Sequence, residues 1–158
     1  MNIWKRSQKL IAQCGTNDPE RILQQLGVSI LPCELHGIRG FYKRIERNEI
    51  VFVDDSLSEE ERRFVLAHEL GHLLLHKGIN RIFLEQNTYL KTSPYEKEAN
   101  LFALFLLFPN PSDVHAVCDT IEKTARYLGC SEELAEDYLT STANLYPWLW
   151  MRFLSPTT

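Results

Sequence analysis

The stretch FVLAHELGHLLLHKG, residues 64–78, sets three histidines and a glutamate among Phe64, Val65, Leu66, Leu70, Leu73, Leu74 and Leu75. Burying such polar groups costs several kcal/mol unless something pairs with them. Either they line a water-facing stripe of a helix, or a metal ion pairs with them. The leucines leave few faces free for a solvated stripe, and such a stripe gives Glu69 no role.

His68 and His72 are four residues apart, so on a helix their imidazoles project from adjacent turns of one face. Glu69 sits roughly 100° round from His68. This H-E-x-x-H spacing suits one zinc ion held by two imidazoles, with the glutamate poised over a position that holds water. Catalytic zinc needs a third protein ligand and keeps one position open. His76 is the first candidate, yet ligands at i, i+4 and i+8 on a straight helix spread over about 12 Å of rise. His76 therefore reads as a residue behind the ligands, or as a core histidine capping the helix end. A variant with a third histidine ten residues after His68 is excluded, because Gly78 stands there.

A better third ligand lies in SPYEKEANLFALF, residues 93–105. Glu96 and Asn100 share a helix face, and Glu98 points roughly 200° away from Glu96. A carboxylate ligand with an amide one turn later is chemically sensible, since Asn100 can orient a ligand histidine through its other ring nitrogen. The competing readings are Glu98 as ligand, or EKE as the polar first turn of a core helix, where the dipole favours acids.

A length of 158 residues suffices for one domain with a real core. A net charge of −4 without any long basic run argues against a grip on a phosphate backbone. The four cysteines form no C-x-x-C pair, so reduced thiols are expected. MNIWKRSQKLIAQCG lacks the apolar segment of a signal peptide, and the longest apolar run, LFALFLLF, is too short to span a bilayer. A cytoplasmic protein with no membrane association is expected.

The chain reads as a single domain, 1–158. Residues 1–57 hold two helices and a small sheet, 58–110 the zinc-binding helices, and 111–158 further helices and an aromatic tail. Helical spacing over residues 3–13, then Pro19 and Gly27 around a short helix, open the chain. VSILPCEL, IRGFYKRIE and NEIVFVDD are rich in β-branched and aromatic residues and predict a three-stranded antiparallel sheet, with ERN as the last turn. Ser58 and Glu61 form a capping-box pattern, opening a helix expected to reach Gly78. A loop follows, with a short strand at RIFLE, and then a buried helix that stops at Pro109. DVHAVCDTIEKTARYLG and SEELAEDYLTS predict two more helices joined at Gly129. The expected fold is α+β, the small antiparallel sheet packed on a helical zincin core.

GFYKRIERNEIVFVDDSLSEEERRFVLAHELGHLLLH, EKEANLFALFLLFP and GTNDPERILQQLGVSI together resemble the ImmA/IrrE family of bacterial and phage metallopeptidases. The resemblance covers roughly residues 1–110. It implies a zinc-dependent, gluzincin-like site with His68, His72 and Glu96 as ligands and Glu69 as general base. It also implies a protein substrate: a helix-turn-helix repressor of a phage, mobile element or stress response.

On this reading Glu69 takes a proton from the attacking water and delivers it to the departing amine. The developing oxyanion calls for a donor, for which His115, Tyr95 and Tyr89 are the candidates. An extended substrate would add to a sheet edge, supplied by NEIVFVDD or GFYKRIE. TARYLGCSEELAEDYL has helix-turn-helix spacing, but Glu132, Glu133, Glu136 and Asp137 would repel phosphates, so no direct nucleic-acid binding is expected. The tail with Tyr146, Trp148, Trp150 and Phe153 reads as a strap over the core. The rival from another class is a regulator that binds a repressor without cutting it, its zinc structural. Such a site normally closes with four protein ligands and needs no base.

Overall fold

A computed structural model describes residues 2–77, 93–143 and 145–147. The chain divides into two compact units, residues 1–107 and 108–158. In the first, α1 (Ile3–Cys14) starts where the Asn2 side chain accepts from the Lys5 N–H, and stops at Gly15, whose φ of +67° suits glycine. Asp18 caps α2 (Pro19–Gln25), with Pro19 in the first turn, where a missing N–H costs nothing.

Three strands follow: β1 (Ser29–Cys33), β2 (Gly40–Ile45) and β3 (Asn48–Asp54). Their order is β1-β3-β2. β2 pairs with β3 antiparallel, but β1 pairs with β3 in parallel, so the sheet is mixed and not the purely antiparallel one expected. β3 lies at the centre, and its Val51 and Val53 are fully buried. The β1–β2 connection is clamped to its far end, where the Asp54 carboxylate accepts from the Leu35 N–H at 2.8 Å and from Ser56. Those bonds, the Ser56 hydroxyl first, hold the Asp54 carboxyl below the usual carboxylate range.

α3 (Glu59–Leu75) opens with the expected capping box: Ser58 Oγ accepts from the Glu61 N–H, and the Glu61 carboxylate accepts from the Ser58 N–H. It ends earlier than expected, with His76 as its C-cap; Gly78 lies outside the described residues, as do RIFLE and Tyr89. α4 (Pro94–Leu107) is apolar nearly all round beyond its first turn, as a buried helix must be. Leu66, Leu70, Phe102 and Leu106 join Ile22, Leu23, Val51 and Val53 in one core.

Two glycines set how closely α3 is approached. A Cβ on Gly71 would meet the Ala99 Cα and carbonyl oxygen at 3.2 Å, so α3 and α4 nearly touch at HELGH. A Cβ on Gly40 would lie 2.5 Å from Val65 Cγ1, so the start of β2 presses on the same helix.

The second unit contains α5 (Pro111–Val117), α6 (Ile121–Leu128) and α7 (Glu132–Ala143). The single helix expected over DVHAVCDTIEKTARYLG is in fact two. Cys118 is extended (φ −118°, ψ 127°), and the Thr120 side chain caps a new helix by accepting from the Lys123 N–H. A threonine that caps competes with helix continuation. α7 buries Ala135, Tyr138, Leu139 and Thr142 and exposes Glu132, Glu133 and Glu136. All four cysteines are free thiols. Of the aromatic tail, Trp148, Trp150 and Phe153 lie outside the described residues. Among the described residues, no helix is long and apolar enough to cross a membrane.

Candidate metal centre

The helical period places His68 and His72 on the side of α3 that faces α4, and the contact at Gly71 brings the first turn of α4 over them. His68 Nε2 lies 3.0 Å from His72 Nε2. Glu96 offers one carboxylate oxygen to each imidazole, at 3.3 Å from His68 Nε2 and 3.0 Å from His72 Nε2. Among the described residues this trio is the group of histidine, cysteine and acid side chains whose ligating atoms converge closely enough for one ion. Ligand atoms bound at about 2.0–2.1 Å around a tetrahedral ion sit roughly 3.3 Å apart, so these spacings fit a zinc-sized site. A calcium ion asks for six to eight oxygens at about 2.3–2.6 Å, which two imidazoles do not provide.

Burial grades across the trio: the side chains of His72, His68 and Glu96 are 3%, 15% and 41% exposed. Among the described residues, the histidine side of the centre is therefore the buried one and the carboxylate the more exposed. Hydrogen bonds from His68 and then His72 hold the Glu96 carboxyl far below the usual carboxylate range, outweighing its partial desolvation.

Glu69 is buried, 2% exposed, and does not join the trio. Its Oε2 accepts from the backbone N–H of Tyr42 at 2.9 Å. That amide points away from β3, so β2 presents its outer edge to the glutamate. β3, bonded on both sides, has no free edge, so of the two alternatives NEIVFVDD and GFYKRIE the first is excluded.

The family profile for the IrrE N-terminal-like domain, peptidase M78, matches residues 23–140, which takes in α3, α4 and the whole convergent trio. The chain belongs to the ImmA/IrrE family. This is a family of metallopeptidases, so a metal is part of its chemistry, and the His–His–Glu trio is where this member can take one. Immunity region protein 2 of Bacillus phage phi105, an uncharacterized protein, is 38% identical over 104 residues, covering 65% of this chain and 66% of the relative. Metallopeptidase ImmA of Bacillus subtilis (strain 168) is 28% identical over 100 residues, covering 63% and 59%. The chain thus spans slightly under two thirds of the length of these relatives.

Around the trio, this ImmA/IrrE chain adds a set of hydrogen bonds. His68 Nδ1 lies 2.8 Å from Asn100 Oδ1, and His72 Nδ1 lies 3.0 Å from His76 Nδ1. Glu98 is outside the trio; its carboxylate sits 2.9 Å from His76 Nε2. Of the oxyanion candidates, Tyr95 packs on His76 with the two rings nearly perpendicular and their centroids 5.0 Å apart. His115 is buried in the second unit, its Nε2 3.3 Å from Thr142 Oγ1. The Tyr42 amide was missed by sequence reasoning, because a backbone donor carries no signal in residue type.

Proposed function

We propose that this chain is a zinc-dependent, site-specific endopeptidase acting in the cytoplasm on a regulatory protein, a helix-turn-helix repressor. The observation that carries the reading is the convergence of His68, His72 and Glu96 ligating atoms within 4.8 Å of one another, the two histidines coming from the helix that also carries Glu69 and the carboxylate from α4. In this reading His68, His72 and Glu96 are the ligands of one zinc ion. When bound, zinc supplies a Lewis acid that polarises a carbonyl and acidifies water.

The chain's own residues do the rest. Glu69 takes the proton of the attacking water and delivers it to the departing amine nitrogen, as a general base and then a general acid. The Tyr42 N–H holds Glu69 Oε2, which fixes the orientation of that carboxylate. Asn100 accepts from His68 Nδ1–H, which directs that ring's Nε2 lone pair at the ion, a role partner groups commonly fill. His76 stands in the same relation to His72. An extended substrate adds along the outer edge of β2, beside Glu69. The immunity-region name of the phage relative supports a regulatory protein as target in place of bulk peptide.

The test is incubation of the purified chain with a helix-turn-helix repressor taken from the same genome, with zinc and with a chelator. Two discrete fragments in the zinc sample alone are expected. An intact repressor in both samples, held tightly by the chain, would overturn the reading in favour of a non-cutting regulator.

A further inference from the structure

We infer that Glu98 is a positioning residue for the metal centre, acting through His76 on His72. The inference rests on the ligand roles proposed above for His68, His72 and Glu96.

The geometry leaves one arrangement of protons along this line. His72 must present a lone pair at Nε2, the atom that faces His68 and Glu96. Its ring proton then sits on Nδ1, 3.0 Å from His76 Nδ1. His76 must accept there, so its own proton sits on Nε2, which donates to the Glu98 carboxylate at 2.9 Å. Each neutral imidazole has one donor and one acceptor, and each is used once. With the opposite proton on either ring, two lone pairs or two N–H groups would face each other across 3.0 Å.

The burial pattern argues that this line is more than a helix-end ion pair. The side chain of His76 is 3% exposed and that of Glu98 44%. A carboxylate anchored at the surface thereby fixes a proton on a ring inside the core, which in turn orients the next ring. His68 needs no intermediary because Asn100 reaches it directly. Glu96, Glu98 and Asn100 all come from the start of α4, so one segment supplies a ligand and orients both imidazoles of the other helix. Glu98 leaves the helix on the opposite flank from Glu96, which is why it reaches His76 and not the ion.

Zinc affinity, measured by competition with a chromophoric chelator on the full chain, tests the role. Partner groups behind a ligand histidine typically contribute about 10- to 100-fold in metal affinity. Glu98→Leu is expected to weaken zinc binding by about tenfold or more. Glu98→Gln keeps an oxygen that accepts from His76 and is expected to recover most of that loss. In a His76→Leu background the relay is already cut, so adding Glu98→Leu should weaken zinc no further. Nitrogen-15 shifts of the zinc-loaded wild type should report His76 protonated on Nε2, and Glu98→Leu should blur that single tautomer. Unchanged affinity in Glu98→Leu, or an equal loss on adding it to His76→Leu, would overturn the inference. A chain that binds zinc as described yet spares the repressor overturns the peptidase reading and leaves Glu98 standing. A wild type that fails to bind zinc overturns both.

Discussion

Tyr42 and Glu69 are joined across 2.9 Å by a backbone N–H on the outer edge of β2 and a buried carboxylate of α3. The sheet edge and the acid of HELGH are thereby one unit. Gly40, two residues before, lets β2 approach α3 this closely, because any side chain there would strike Val65 and the Phe52 carbonyl.

Removing only the N–H tests that link. Tyr42→Pro lies on an outer strand, where proline is tolerated when its nitrogen faces away from the ladder. A hydrogen bond to a charged group contributes about 1.5–3 kcal/mol, so cleavage should fall by roughly tenfold or more with zinc still bound. Tyr42→Phe keeps the N–H while losing the hydroxyl bond to Glu49, and should cut normally. Equal activity in both variants, read by a fragment assay, would remove the role of the amide.

Glu69→Gln should hold zinc as the wild type does, because Glu69 is outside the trio of candidate ligands. Its cleavage rate should drop by about 10²–10⁴-fold, the range general acid–base groups contribute. Metal content and single-turnover cleavage measured on one preparation check both halves. Full activity would exclude Glu69 as the base.

Gly71→Val should push α4 away from α3, since even a Cβ would sit 3.2 Å from the Ala99 backbone. Overpacking of this kind costs about 1–3 kcal/mol, and here the displaced helix is the one that carries Glu96. Both the urea midpoint and zinc affinity should fall. Gly71→Ala should be near neutral in stability, because better helix propensity, worth about 1 kcal/mol, offsets a contact that must yield slightly. A Gly71→Val chain with unaltered zinc affinity would show that this close approach does not position the trio.

Arg62 holds the Glu20 carboxyl below its ordinary value of 4.5, first by its hydrogen bond and further by its charge, against partial desolvation. A carboxyl lowered in the folded state stabilises the fold above its unfolded value, and the contribution is lost as pH falls through the lowered one. The Glu20 side chain is 38% exposed, so solvent screening limits the pair to about 1 kcal/mol at most. Urea midpoints of the wild type and Glu20→Gln should differ at pH 7 and converge below pH 4.5. A difference that persists unchanged in acid would show that the ion pair is not its source.

Much of the centre is legible because its signals are local. The spacing of His68, Glu69 and His72 fixes their relation on any helix, and the Ser58–Glu61 box marks where that helix begins. Asn100 facing a histidine follows from sharing a flank with Glu96. The break at Cys118–Thr120 was not legible, since its residues suit helix interior and cap alike and a single side-chain bond from Thr120 decides between them. The parallel pairing of β1 was hidden for a different reason. Neighbours in sequence usually pair in space, but here β1 lies on the far side of β3 from β2, an order that involves contacts such as Leu35 N–H to the Asp54 carboxylate, nineteen residues apart.

Residue order alone therefore determined the helix with its two imidazoles and acid, the caps that bound it, and a second helix rich in candidate ligands. Only the tertiary structure decided that Glu96 reaches the imidazoles while Glu98 turns to His76, and that β2, not β3, offers its edge to Glu69. Periodicity within one element follows from backbone geometry. The meeting of two elements depends instead on where their backbones can touch, and here that point is Gly71 against Ala99.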